Sequence, residues 1–166
     1  EEEAEAAPAM DPTLYEIFSK EAGSHLVVIS AFLSHARPSP ERAPVTDDLV
    51  RSIHTLNGAA CMADLEPLHR LTGPLEIYVK RLNALGRPMS DEGFRIVDRA
   101  VTDIETIVEQ AGEARPEYPE TESLARELEH LRDGVPEVGE REPAPEEVLT
   151  EDEPGAEVRA PTEHAG

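Results

Sequence analysis

The sequence predicts an all-α fold: an antiparallel up-down four-helix bundle, with a short fifth helical segment and acidic tails expected to be disordered. Three observations carry this. Four stretches place apolar residues at steps of three and four, the period of a helix with one buried face. Short loops rich in proline or glycine separate them, which favours antiparallel neighbours. No repeat with a period of about 20 to 50 residues recurs, so a solenoid is excluded.

Taken in order, residues 1–10 read as an acidic Ala/Pro linker, and residues 11–112 hold the bundle. Asp11 is a natural N-cap and Pro12 a first helical residue. Leu14, Phe18, Ala22, Leu26, Ile29, Leu33 and Ala36 then share one helical face, and the helix must stop before Pro38. Three prolines make residues 37–44 a loop. The second helix starts near Thr46 or Asp47 and runs to about Ala63. After a short turn, Pro67 opens the third, whose seam is Leu68, Leu71, Leu75, Tyr78, Leu82 and Leu85. Gly73-Pro74 is expected to interrupt and kink it, because Pro74 cannot donate to the carbonyl of Arg70. Gly86-Arg87-Pro88 ends it. Ser90 caps the fourth helix, Asp91 and Glu92 suit its positive end, and Phe94, Val97, Val101, Ile104, Val108 and Ala111 form its seam, with Gly112 as the stop. Within residues 113–134 a weaker segment, about 121–133, carries Leu124, Leu128 and Leu131 on one side; it either docks on the bundle or stands apart. Residues 135–166 are Pro/Glu-rich and too polar to bury a core.

Charge narrows the function. The net charge is −21 over 166 residues, and more than half of the excess lies in the two tails. Such a balance argues against nucleic acid and anionic membrane, which need a basic footprint. No run of about 18 apolar residues is present, so no transmembrane helix is expected. The single cysteine, Cys61, excludes a disulfide framework within the chain and points to a reducing, cytoplasmic setting. The opening Glu-Glu-Glu-Ala-Glu suits neither a signal peptide nor an initiation site, so the chain is expected to be a piece of a longer protein.

The chemistry-bearing stretch is Ile53-His54-Thr55-Leu56-Asn57-Gly58-Ala59-Ala60. Wound at roughly 100° per residue, Leu49, Ile53, Leu56 and Ala60 gather on one side, and His54 falls about 130° away, facing solvent. Arg51, Asn57, Gly58 and Cys61 share its face. Gly58 is the odd choice, since glycine inside a helix costs about 1 kcal/mol against alanine. It removes bulk one turn from an exposed imidazole, as a docking partner would require. The plain alternative is a surface histidine beside a glycine tolerated for packing. Met62 reads as core filler, Cys61 as a buried or half-buried thiol, and His25 and His35 as structural. The spacing of Cys61, His54 and His69 matches no zinc pattern, so no metal site is expected.

The run resembles the signature of histidine-containing phosphotransfer (HPt) domains, His-x-x-Lys-Gly followed by two small residues. It is most similar to the HPt modules of CheA-like chemosensory kinases, especially the ChpA/PilL-type hybrids that govern type IV pilus motility. The resemblance spans about residues 11–111. It implies that His54 accepts a phosphoryl group from a CheA-like kinase domain, expected in the same full-length chain, and passes it to a response-regulator receiver aspartate. It also implies that Glu76, 22 residues on, bonds one ring nitrogen and leaves the other free as the nucleophile. Asn57 stands where the family carries lysine; its amide is the expected phosphoryl contact, weaker than a charged one. Arg51 is a candidate for the missing charge or for partner contact, or else a solvated arginine. Gly58 is the candidate clearance for the partner. No Gly-rich nucleotide loop is present, so ATP and Mg²⁺ are expected on partner domains, with no cofactor in this one. Residues 47–88 carry five acids and five bases, a neutral surface that would not repel an acidic receiver pocket. The competing reading is a phosphotransfer-inactive bundle acting as a scaffold or docking module, for which Asn57 is the best support.

Overall fold

The computed structural model describes residues 10–138. Nearly all of the two tails predicted to be disordered, residues 1–9 and 139–166, lies outside the described residues. Five helices follow one another: α1 Pro12–Ala36, α2 Asp47–Met62, α3 Glu66–Leu85, α4 Asp91–Gln110 and α5 Glu122–Asp133, with a 3-10 turn Pro40–Arg42 after α1. Among the described residues no strand forms; Pro44 and Pro88 make one isolated antiparallel bridge.

The ends of the helices follow local chemistry. The Asp11 carboxylate accepts the backbone N–H groups of Thr13 and Leu14 at 2.9 and 3.1 Å. Thr46 accepts that of Leu49 at 3.2 Å, and Ser90 that of Gly93 at 3.0 Å. Each cap satisfies donors that the first turn leaves without a helical partner. At the far end of α3, Gly86 takes φ of 64°, the left-handed conformation that only glycine adopts without penalty. The expected interruption at Gly73-Pro74 does not divide α3, which runs as one element through a buried Pro74. The carbonyl of Arg70 forgoes one helical bond there, and burial of Leu71 and Leu75 on either side holds the helix together.

The core is a single cluster. Ile29 and Leu33 of α1, Leu49, Ile53 and Leu56 of α2, Leu71, Leu75 and Val79 of α3, and Val97, Ile104 and Ile107 of α4 are almost wholly buried. α1 packs on α2 and α4, and α3 on α2, α4 and α5. The fifth segment docks. Leu124, Ala125 and Leu128 are buried against α3 and α4. The guanidinium of Arg81 ties down its end, donating to the carbonyls of Arg132 at 2.7 Å and Val135 at 3.3 Å and pairing with Glu137 at 2.9 Å.

Three sequence expectations fail here. Met62 is no core filler: it is 91% exposed, because the last residue of α2 lies about 200° around the helix from buried Ala60. Leu14 lies on the predicted core stripe of α1 yet is 46% exposed, on the wall of an open groove between α1 and α2. Cys61 is exposed rather than buried. No helix among the described residues is long and apolar enough to cross a membrane.

Candidate functional site

Packing of α2 against α3 sets two polar faces edge to edge. From α2 come His54 and Asn57. From α3 come His69, Thr72, Glu76 and Lys80, the last three at steps of four and so on one helical stripe. The His54 side chain is 64% exposed, while that of Glu76 is only 10% exposed. A carboxylate is rarely so well buried without partners, and Glu76 has three. Its Oε1 lies 2.5 Å from His54 Nδ1 and accepts from Lys80 Nζ at 2.6 Å. Its Oε2 accepts from the Asn57 amide nitrogen at 2.7 Å.

Burial pushes the Glu76 carboxyl upward in pKa. The hydrogen bonds from Lys80, His54 and Asn57, with the charge of Lys80, outweigh it and hold the group below the usual carboxylate range. Glu76 is therefore ionised at neutral pH and can only accept. The shared proton sits on His54 Nδ1, and in the neutral ring the lone pair is then on Nε2.

Asn57 sits differently from its predicted role. Its amide oxygen accepts from the buried Thr72 hydroxyl at 2.7 Å and from His69 Nδ1 at 2.9 Å. These two donors on one side and the Glu76 acceptor on the other fix which way the amide faces. One of its amide N–H groups thus serves the Glu76 carboxylate. The α3 wall offers fixed partners that the helix-surface winding of α2 alone could not reveal. His69 Nδ1 also lies 3.2 Å from Cys61 Sγ. That brings together two of the residues considered for a metal, but among the described residues no group of three ligands forms.

Lys80 and Thr72 had no role in the sequence reading, and His69 was weighed there only as a metal ligand. The i+4 step from Glu76 to Lys80 and the i−4 step to Thr72 were visible, but nothing in them showed that α2 faces that stripe. Arg51 points to solvent and pairs with Asp48 at 3.3 Å. Gly58 is exposed, and a Cβ built there meets no atom within 4 Å, so no contact inside the protein requires glycine.

Two hollows flank the imidazole. A cleft is lined by Asp47, Val50, Arg51, His54 and Lys80. On the other side runs an apolar groove whose walls include Leu14, Ile17, Phe18, Gly58, Ala59 and Met62, with His54 at its edge.

No curated protein matches the sequence. Among solved structures, the fold is similar to the phosphorylated P1 domain of CheA3 in complex with CheY6 from R. sphaeroides, with a TM-score of 0.63. Identity is 18%, over 76% of this chain and 100% of that one, so the likeness speaks for the fold. The family model described as "Hpt domain" matches residues 13–114. That span runs from α1 through α4, well over half the chain, and includes the whole His54–Glu76 network; the chain belongs to the Hpt (histidine phosphotransfer) domain family.

Proposed function

We propose that His54 is the phosphoryl carrier of this domain, taking the group from a kinase domain and giving it to a receiver-domain aspartate. One observation carries the reading: the short bond from His54 Nδ1 to a buried, ionised Glu76, which leaves Nε2 as an exposed nucleophile. In the forward step the Nε2 lone pair forms the N–P bond while the P–O bond to the donor's leaving group breaks. The leaving group keeps that electron pair. Positive charge developing on the ring is met by Glu76 through Nδ1–H. In the onward step the aspartate oxygen attacks phosphorus and the N–P pair returns to Nε2. Positioning and charge stabilisation are the main demands of such transfers.

ATP and Mg²⁺ belong to the partner domains in this reading. The kinase domain is CheA-like and of the ChpA/PilL type, in the same full-length cytoplasmic chain and serving pilus motility; the support is the motif around His54. The receiver docks on the apolar groove beside Gly58, supported by exposed Ile17 and Met62 on its walls. The similar P1 domain was captured with CheY6, a companion of that kind. The inactive-scaffold alternative leaned on Asn57 replacing lysine. With Lys80 bonded to Glu76, a cation is present at the site and that argument loses its weight.

The test is incubation with phosphoramidate, a small donor that needs no kinase, followed by intact-mass and ³¹P measurement. One acid-labile phosphoryl group is expected on the unaltered chain and none on His54→Gln. Modification of His54→Gln to the same extent, or no modification of either, would overturn the reading.

A further inference from the structure

Asn57 leaves open which group, if any, replaces the family lysine as the cation on the phosphoryl oxygens. We infer that Lys80 of α3 does so: it is the phosphoryl-contacting cation of this site, and Asn57 is a positioning residue that holds Glu76. The inference rests on the phosphotransfer reading of His54 and deepens it.

Three side chains could meet the phosphoryl oxygens. Asn57 is neutral, and its amide oxygen and one of its N–H groups are engaged by Thr72, His69 and Glu76. Arg51 carries a charge, but it is exposed and already faces the Asp48 carboxylate. Lys80 bonds Glu76 Oε1, the same oxygen that holds the imidazole, and its side chain is 48% exposed. It also lines the cleft that opens beside His54. Its ammonium is thus tethered next to the ring yet free on its solvent side. A lysine has three donors on a flexible four-carbon stem. It can keep Oε1 with one N–H and turn another toward a phosphoryl oxygen on Nε2.

Charge matching favours the same residue. Before phosphorylation Lys80 offsets the buried Glu76 carboxylate. Phosphorylation brings further negative charge to the cleft, where Asp47 already stands. Asp47 accepts from the Asn83 amide at 3.0 Å and Asp48 faces Arg51. Lys80 and Arg51 are the cations that the cleft offers, and Lys80 alone is held beside the histidine. A charge-assisted bond is about twice as strong as a neutral one, so Lys80 is better suited to the oxygens than the Asn57 amide.

The experiment compares the unaltered 166-residue chain with Lys80→Gln, Lys80→Arg and Arg51→Gln, all phosphorylated with phosphoramidate. Lys80→Gln is expected to slow phosphorylation about fivefold, the scale of a partly exposed ion pair, and the difference should shrink in high salt. Lys80→Arg should restore most of the rate. A second readout separates contact from mere support of Glu76. The ³¹P shift of phospho-His54 followed against pH gives the second ionisation of the phosphoryl group. Loss of a contacting cation raises that pKa, by about half a unit or more, while the ring ¹⁵N shifts of unphosphorylated His54 keep the Nδ1–H form. An unchanged rate and phosphoryl pKa in Lys80→Gln would overturn the inference, as would a change seen only in Arg51→Gln. An altered Nδ1–H form with an unchanged phosphoryl pKa would overturn it too, leaving Lys80 as support for Glu76. If the unaltered chain takes up no phosphoryl group, the phosphotransfer reading itself fails, and this inference with it.

Discussion

On its α3 side His54 meets a wall of polar atoms bonded to one another, from Lys80 through Glu76 and Asn57 to Thr72 and His69. On its α1 side it borders an apolar groove in which Ile17 and Met62 stand 64% and 91% exposed. The difference follows from what each environment costs. Buried polar atoms without partners cost about 1–3 kcal/mol each, so the α3 flank is complete in itself; among the described residues no buried side-chain nitrogen or oxygen lacks a partner. An exposed apolar side chain costs little singly, and a contiguous patch marks a place for another surface. On the function proposed above, one flank prepares the nucleophile and the other receives a partner. Mutations on the two sides should therefore separate chemistry from docking.

Breaking the α3 flank should have the largest effect. Glu76→Ala removes the acceptor of His54 Nδ1–H and the charge that meets the developing imidazolium. Hydrogen bonds to charged groups contribute about 1.5–3 kcal/mol, which corresponds to about a 10- to 100-fold loss of phosphorylation rate. Phosphoramidate kinetics measure it, with circular dichroism as a check that the helices remain. A rate within about twofold of the unaltered chain would remove Glu76 from the mechanism.

Breaking the groove should be smaller and of another kind. In Ile17→Asp with Met62→Asp, transfer from phospho-His54 to a receiver domain should fall about tenfold, the scale of interface residues worth more than 1 kcal/mol. Phosphoramidate should still modify His54 at the original rate. A matching loss in both assays would mean that the two flanks are one site.

The smallest change sharpens the comparison from inside the polar wall. Asn57→Ala should lower stability by about 1 kcal/mol, since the buried Thr72 hydroxyl loses its acceptor at 2.7 Å. It also removes one of the donors that hold the Glu76 carboxyl low. A carboxyl with a depressed folded pKa adds stability that is complete above its unfolded pKa and is lost as pH falls through the folded value. In Asn57→Ala that contribution should be smaller, and its loss should be complete at a higher pH. The ¹³C shift of the Glu76 carboxyl and thermal unfolding against pH both report it; identical titrations in the two proteins would show that Asn57 does not hold the carboxylate.

Much of the fold was legible because its signals are local. Asp11, Thr46 and Ser90 cap helices through hydrogen bonds two or three residues long, and Gly86 ends α3 through its own backbone angle. Leu49, Ile53, Leu56 and Ala60 are buried where the winding of α2 places them. The winding of α2 itself sets Met62 away from buried Ala60, whereas Leu14 lies on the α1 stripe but near a helix end, where burial depends on what the neighbouring helix covers. Within the site, His54 and Glu76 were found through the family resemblance, and their contact is there at 2.5 Å. Asn57 lies beside His54 as the winding places it, and its bonds to Glu76, Thr72 and His69 on α3 were not legible from α2 alone.

By itself the sequence determined the four helices, the buried stripe of each, the exposed face that carries His54, and the acidity that disfavours polyanionic partners. Those properties depend on residue type and on spacings within one helix. Tertiary structure alone decided that the fifth helix docks, that Lys80 and Thr72 complete the Glu76 site, and that Asn57 bonds Glu76 and Thr72. Each of these joins residues on different helices, 15 and 19 positions apart for Asn57 with Thr72 and Glu76, and 51 for Arg81 with Arg132. The choice among a side chain's possible partners is made by the rotation and offset at which two helices pack, and no periodicity within either helix encodes that.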